Sequence, residues 1–192
     1  MVLKYRQTAH RIAFQPDQKW PLTLSTLLKI ADPTRMPEFV TAATEDDFRE
    51  ARRLLREYED FVEVDLCFQG FEEELGNLEQ VYGPPGGRFL LLRQGGQTAG
   101  CVALRDLGNG ICEMKRLFLR SKFRGKGLGR LCAERIIQTA KEMGFDAMRL
   151  DTLPIMREAI DLYRSMGFRE ISNYAENPVQ GALCMELQLT RD

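Results

Sequence analysis

Glycine recurs at three alternate positions, Gly125, Gly127 and Gly129, between a run that reads as a strand and a run that reads as an amphipathic helix. The whole stretch, 113–143, is E-M-K-R-L-F-L-R-S-K-F-R-G-K-G-L-G-R-L-C-A-E-R-I-I-Q-T-A-K-E-M. That spacing strips Cβ atoms from the backbone just where a helix begins. The first N–H groups of such a helix have no internal partner, and its dipole adds partial positive charge there. Lys122, Arg124, Lys126 and Arg130 surround the same turn with formal charge. The turn is therefore an anion site, and phosphate is the usual anion held this way.

Spacing narrows the ligand. A phosphate-binding loop of the Walker type needs G-x-x-x-x-G-K-[ST], and no Ser or Thr follows here. A dinucleotide fingerprint needs G-x-G-x-x-G, whereas this chain reads G-x-G-x-G after a mid-chain strand. Both standard nucleotide readings fit poorly. The pattern that fits is R-x-x-G-x-G, carried by Arg124, Gly127 and Gly129.

Charge excludes other partners. The formal net charge over 192 residues is −1, which gives no global case for nucleic acid or an anionic membrane surface. The basic cluster is local. No apolar stretch reaches the about 20 residues that span a bilayer, and the N-terminus lacks the order of a secretory signal. Five scattered cysteines with no C-x-x-C read as buried reduced thiols. A reducing compartment follows, and cytoplasm is the expected location. The only histidine is His10, so no metal site and no histidine-activated nucleophile are expected.

Residues 1–36 read as an N-terminal extension, loosely ordered or else an arm anchored by Trp20, and 37–192 as the domain. A short strand is expected within 36–43. Thr44 is a good N-cap for a helix whose first turn holds Glu45, Asp46 and Asp47, with Phe48, Ala51, Leu55 and Tyr58 inward. Phe71, Leu75 and Leu78 suggest a second short helix, weakened by Gly76. After the break at Pro84-Pro85-Gly86-Gly87, three strands are predicted at 88–93, 98–105 and 111–119, separated by glycine turns. The glycine turn and its helix follow, stopped at Gly144. A strand within 145–152, reached by that helix, is expected to be parallel. A helix carrying Ala159, Leu162 and Tyr163 and two short strands complete the chain.

Three more segments bear on identity: E-M-K-R-L-F-L before the turn, M-R-L-D-T-L (148–153), and L-Y-R-S-M-G-F (162–168), which matches a common L-Y-x-x-x-G-F. With R-x-x-G-x-G, in this order and spacing, residues 37–190 resemble the GNAT superfamily of N-acetyltransferases. The resemblance implies an α/β (α+β) fold. Its mixed central sheet would run as an antiparallel meander, then a parallel strand pair, flanked by about four helices.

The same resemblance implies the roles. Backbone groups of Arg124, Gly125, Lys126, Gly127, Leu128 and Gly129, with Arg130, would hold the diphosphate of acetyl-CoA, the expected cosubstrate. Leu117, Phe118 and Leu119 would present main-chain groups to its pantetheine arm where the strand splays from its parallel neighbour. Tyr163 matches the tyrosine that protonates the leaving thiolate in many members. Glu113 matches a water-linked general base in several, although Lys115 on the same strand face offers it a structural ion pair instead. Asp151 is a weaker candidate of the same kind. Phe68, Gln69 and Tyr174, with Phe71 and Glu72, fall in segments expected near the acceptor, and a mix of aromatic and acidic groups would suit a cationic amine. Met156 departs from the family, standing where many members carry a CoA-contacting asparagine. The implied reaction is acetyl transfer to a primary amine on a small molecule or peptide. The alternatives are a non-catalytic acyl-CoA-binding or sensor module, which would need neither Tyr163 nor Glu113, and a nucleotide-phosphate binder. A homodimer through the last strand or the leader is compatible with the resemblance.

Overall fold

The computed structural model describes residues 36–62, 70–174 and 181–189. The expectations for the leader and for Phe68 and Gln69 fall outside these residues. Seven strands form one sheet in the order β1-β2-β3-β4-β5-β7-β6. They are β1 (Glu38–Thr41), β2 (Gly87–Gln94), β3 (Gln97–Gly108), β4 (Ile111–Leu119), β5 (Ala147–Thr152), β6 (Arg169–Ile171) and β7 (Leu183–Gln188). Five helices flank it: α1 (Glu45–Val62), α2 (Phe71–Gly76), α3 (Leu78–Tyr82), α4 (Leu128–Glu142) and α5 (Arg157–Ser165). All neighbouring strands pair antiparallel except β4 and β5, which α4 connects in parallel.

Local chemistry sets these boundaries. The Thr44 side chain accepts the Asp47 N–H at 3.2 Å while Asp47 Oδ2 accepts the Thr44 N–H at 3.0 Å, a reciprocal cap that fixes the start of α1. The β2–β3 turn places Gly95 and Gly96 at φ 59° and 72°, and the β3–β4 turn places Asn109 and Gly110 at 55° and 74°. Two successive positive φ values match the right-handed twist of the strands they join. The second predicted helix divides instead into α2 and α3 at Asn77, whose φ of −127° and ψ of 29° leave the helical region.

Alternation along the strands builds two cores. Leu90, Leu92, Val102 and Leu104 face α4 and α5, while Phe89, Leu91, Cys101 and Ala103 face α1, α2 and α3. Arg120, just past β4, ties β3 to α1. Its guanidinium donates to Glu57 at 2.7 Å, to Glu50 at 3.1 Å and to the Thr98 carbonyl at 2.7 Å. The segment leading into the glycine turn is thereby tied to α1.

Candidate functional site

The parallel ladder between β4 and β5 is short. It pairs Ile111 with Ala147, Cys112 with Met148 and Glu113 with Arg149, and then stops, although β4 runs on to Leu119 and β5 to Thr152. The strands part to make a cleft. Its walls are Met114–Leu117 on β4 and Leu150–Leu153 at the end of β5, with Tyr58 from α1 and Tyr163 from α5. Tyr163 packs with the α4–α5 core and Tyr58 with the α1–α3 core, so the cleft reaches residues on both sheet faces.

A bulge in β4 accompanies the parting. From Cys101 to Ala103 on β3 the partner advances from Phe118 back to Lys115, one residue too many, and Arg116 stands at φ 57°. A left-handed arginine is costly, about 1–2 kcal/mol, and needs something to hold it. Glu74 on α2 does so, accepting Arg116 Nε at 2.8 Å and Nη2 at 2.7 Å. Tyr82 donates its hydroxyl to the same carboxylate at 2.8 Å, and the guanidinium lies 5.0 Å from the Phe71 ring centroid and 5.8 Å from that of Tyr58. Burial would raise the Glu74 pKa, but the Arg116 fork and the Tyr82 hydroxyl outweigh it and hold the carboxyl below its ordinary range.

The glycine turn lies at the end of β4. Gly125 and Gly127 have φ of 71° and 77°, and apart from the adjoining residues of the chain nothing lies within 4 Å of a Cβ built on either. Gly127 is the N-cap of α4 with no side-chain cap, so the first N–H groups of a 15-residue helix have no side-chain acceptor. Gly129 is already within the helix, beside Leu119 and Leu162, and Leu128 is buried in the core. Lys126 and Arg130 remain exposed, Lys126 Nζ donating to the Lys122 carbonyl at 2.9 Å and Arg130 Nη2 to Ser165 Oγ at 2.6 Å. These groups fit a diphosphate: open space over a left-handed turn, uncapped donors and mobile-length cations. Arg124 is more occupied than expected. It donates Nε to the Leu119 carbonyl at 2.8 Å, and its guanidinium lies 3.8 Å from the Phe61 centroid and 5.5 Å from that of Phe118. Of the three β4 residues named for the pantetheine arm, Leu117 lines the cleft, Phe118 is buried against Tyr58, and Leu119 has its carbonyl on Arg124.

Tyr163 lines the cleft with its ring 5.7 Å from Phe168, and burial, with Tyr58 and Asp151 adding to it, pushes its phenol well above the ordinary value. Glu113 is 0% exposed and does not line the cleft. Its Oε2 takes Arg105 Nε at 2.6 Å, its Oε1 takes the Tyr174 hydroxyl at 2.9 Å, and Lys115 Nζ stands 3.8 Å away. The ion pair weighed against a base role is therefore present, and Arg105 and Tyr174 share in it. Burial and the Glu113 charge push the Tyr174 phenol up, so it stays a donor. Asp151 does line the cleft, 3.4 Å from Lys115 Nζ. Phe71 is core, beneath Arg116, and Glu72 is on the surface in a two-pronged pair with Arg56, which leaves neither in the cleft. Met156 is the N-cap of α5, its sulfur facing Thr152 Oγ1 at 3.9 Å. Sequence reasoning did not find the roles of Glu74, Arg116 and Tyr58. Their contacts span 42 residues in the case of Glu74 and Arg116, and no local pattern marks an arginine for positive φ.

Among the described residues there is no cluster able to hold a metal ion and no helix long and apolar enough to cross a membrane. The acetyltransferase (GNAT) family profile matches residues 43–168. An uncharacterised N-acetyltransferase of Schizosaccharomyces pombe is 40% identical over 148 residues, 76% of this chain and 89% of that protein. One of Dictyostelium discoideum is 30% identical over 186 residues, 65% of this chain and 86% of that protein. A GNAT-family acetyltransferase of Staphylococcus aureus superposes with a TM-score of 0.67 at 22% identity, over 81% of this chain and all of the other.

Proposed function

The chain belongs to the acetyltransferase (GNAT) family, and from that premise we propose that it moves the acetyl group of acetyl-CoA onto a primary amine. Acyl transfer from acetyl-CoA is the reaction of the family; the amine acceptor and the residue roles are our reading. One observation carries it: the parted β4 and β5 open a cleft that has Tyr163 on one sheet face and Tyr58, Lys115 and Asp151 on the other, one strand-length from an uncapped helix N-terminus. Thioester and amine need such a two-sided opening to meet.

Acetyl-CoA supplies an activated acyl group as its thioester. The N–H groups at the start of α4, with Lys126 and Arg130, bind the diphosphate, and Leu117 offers main-chain groups beside the acyl end. An amine that is protonated at neutral pH must lose one proton before attack and a second as the amide forms. A C–N bond forms and the C–S bond breaks; one proton ends on the thiol and one in solvent. Tyr163, kept neutral by burial, donates to the departing sulfur. Glu113 is committed to Arg105, Tyr174 and Lys115 and serves as the fixed post behind the site. Asp151 is the carboxylate that meets the amine.

Thermal unfolding with acetyl-CoA, free CoA, ATP and NAD tests the reading. A ligand at about 100 times its dissociation constant stabilises the fold by about 2.7 kcal/mol, a shift of a few degrees for a domain this size. Acetyl-CoA and CoA should give that shift and ATP and NAD should not, with free thiol then appearing when amines are added to acetyl-CoA. Stabilisation by ATP or NAD and none by CoA would refute it.

A further inference from the structure

Arg116 lines the cleft on β4 at φ 57°, a conformation that glycine adopts without strain. The position holds instead an arginine, 6% exposed and gripped from a distant part of the chain. Glu74 accepts its Nε at 2.8 Å on one oxygen and its Nη2 at 2.7 Å on the other, and the Tyr82 hydroxyl fixes the same carboxylate. The helix that carries Glu74 is itself pinned. Phe71 and Leu75 are buried, and Arg52 Nε on α1 donates to the Leu75 carbonyl at 3.1 Å. A buried ion pair adds little stability over apolar side chains of the same size, so stability alone does not account for this one. What it does is fix one backbone conformation.

That conformation decides where one peptide points. The Arg116 carbonyl accepts the Cys101 thiol, whose Sγ stands 3.3 Å away on β3. The Arg116–Leu117 peptide is trans, so its N–H is directed opposite to that carbonyl. β3 lies on one side of β4 and the cleft on the other, which turns the Leu117 N–H away from Cys101 and towards the cleft that Leu117 lines. An extended conformation at Arg116 would swing the peptide and re-aim this donor. A backbone amide fixed in advance is the kind of donor that stabilises an oxyanion, and a displacement of about 1 Å forfeits much of its effect.

Resting on the N-acetyltransferase reading above, we propose that Glu74 is a positioning residue for acetyl transfer. Through its two-pronged hold on Arg116 it keeps the Leu117 N–H aimed at the thioester oxygen of acetyl-CoA, although Glu74 itself does not line the cleft. No bond of Glu74 is made or broken in the transfer. The Leu117 N–H donates to the oxygen as negative charge gathers there, and the acetyl group, thiol and protons move as already written.

The thioester carbonyl reports the aim of that donor, because a hydrogen bond lowers its stretching frequency. Isotope-edited infrared spectra of acetyl-CoA carrying heavy carbon at the carbonyl, bound to the full chain, need no acceptor and read only folded protein. In the unaltered protein the band should fall below that of free acetyl-CoA. Glu74→Gln offers one acceptor where the guanidinium uses two, and should lose most of that shift. Arg116→Gly and Arg116→Ala both abolish the pair, but only glycine takes φ 57° without help. Combined with Glu74→Gln, neither leaves a buried charge unpaired, so these double variants stay readable where a single one does not fold. Glu74→Gln with Arg116→Gly should regain most of the shift, and Glu74→Gln with Arg116→Ala should not. A shift kept in full by Glu74→Gln, or the same loss in both double variants, overturns the proposal. So does an unshifted band in the unaltered protein when acetyl-CoA raises its melting temperature. Absence of that rise would instead overturn the functional reading beneath it.

Discussion

Tyr163 is a phenol in a nearly dry place, and its chemistry follows from that. Burial destabilises the phenolate, so the hydroxyl keeps its proton through and beyond the range in which free tyrosine ionises. It can give a proton at pH 7 and at pH 10 alike. Replacing it by phenylalanine should lower kcat by about 10²-fold or more while acetyl-CoA still raises the melting temperature. Between pH 7 and 10 the kcat of the unaltered enzyme should show no loss from this group. A Tyr163→Phe protein with full turnover would remove the tyrosine from catalysis and favour a binding module. At this scale the sequence is informative where chemistry is local. Thr44 caps α1, Gly127 turns left-handed, and Tyr163 lines the cleft, each from a pattern a few residues long. Tyr58 was legible as an inward helix residue but not as a wall of the cleft, because that role depends on where β4 and β5 part.

The elements around the cleft carry two opposing strains. At the start of α4, Gly127 occupies a φ of 77°, whereas Gly129 is helical with its nearest side-chain atoms 3.9 and 4.0 Å from a built Cβ. Gly127→Ala should therefore cost about 1–2 kcal/mol of stability and weaken CoA binding. Gly129→Ala should leave stability unchanged or raise it by about 0.5–1 kcal/mol. Denaturant melts with and without CoA separate the two. In β4 the strain sits on Arg116 and α2 restrains it. Glu74→Gln leaves a buried guanidinium without its counter-charge and should cost about 3–5 kcal/mol. Arg116→Gly loses the pair but sheds the left-handed penalty, and the double variant should fall short of the sum by about 0.5–3 kcal/mol. Additive losses would mean that the pair does not hold the bulge. The order of strands and helices was readable from periodicity and glycine punctuation, including the meander and the parallel return. The bulge was not, because Arg116 is held by a glutamate 42 residues away, whereas the division of the second helix at Asn77 follows Gly76, the weak point the sequence did mark.

Across the whole molecule, the sheet is packed on both faces and Cys101, Cys112, Cys132 and Cys184 are all buried without a disulfide. Burial pushes the Cys112 and Cys132 thiols from 9.0 up to about 12, and Cys101 further. On unfolding, these groups return to ordinary values and shed protons first, so above pH 9 the unfolded chain binds fewer protons than the folded one. Stability is therefore intact below the unfolded thiol pKa and falls as pH rises towards the folded values. Each shifted thiol contributes a slope of up to about 1.4 kcal/mol per pH unit in that window. The melting temperature, measured under reducing conditions, should be nearly level from pH 7 to 8.5 and drop by several degrees by pH 10.5. Cys112→Ala combined with Cys132→Ala removes two of the groups and should flatten that drop, even if the altered core melts lower at pH 7. The slope, not the starting temperature, carries the test. An alkaline drop equally steep in the double variant would assign it to other groups, with buried tyrosines such as Tyr82 next in line.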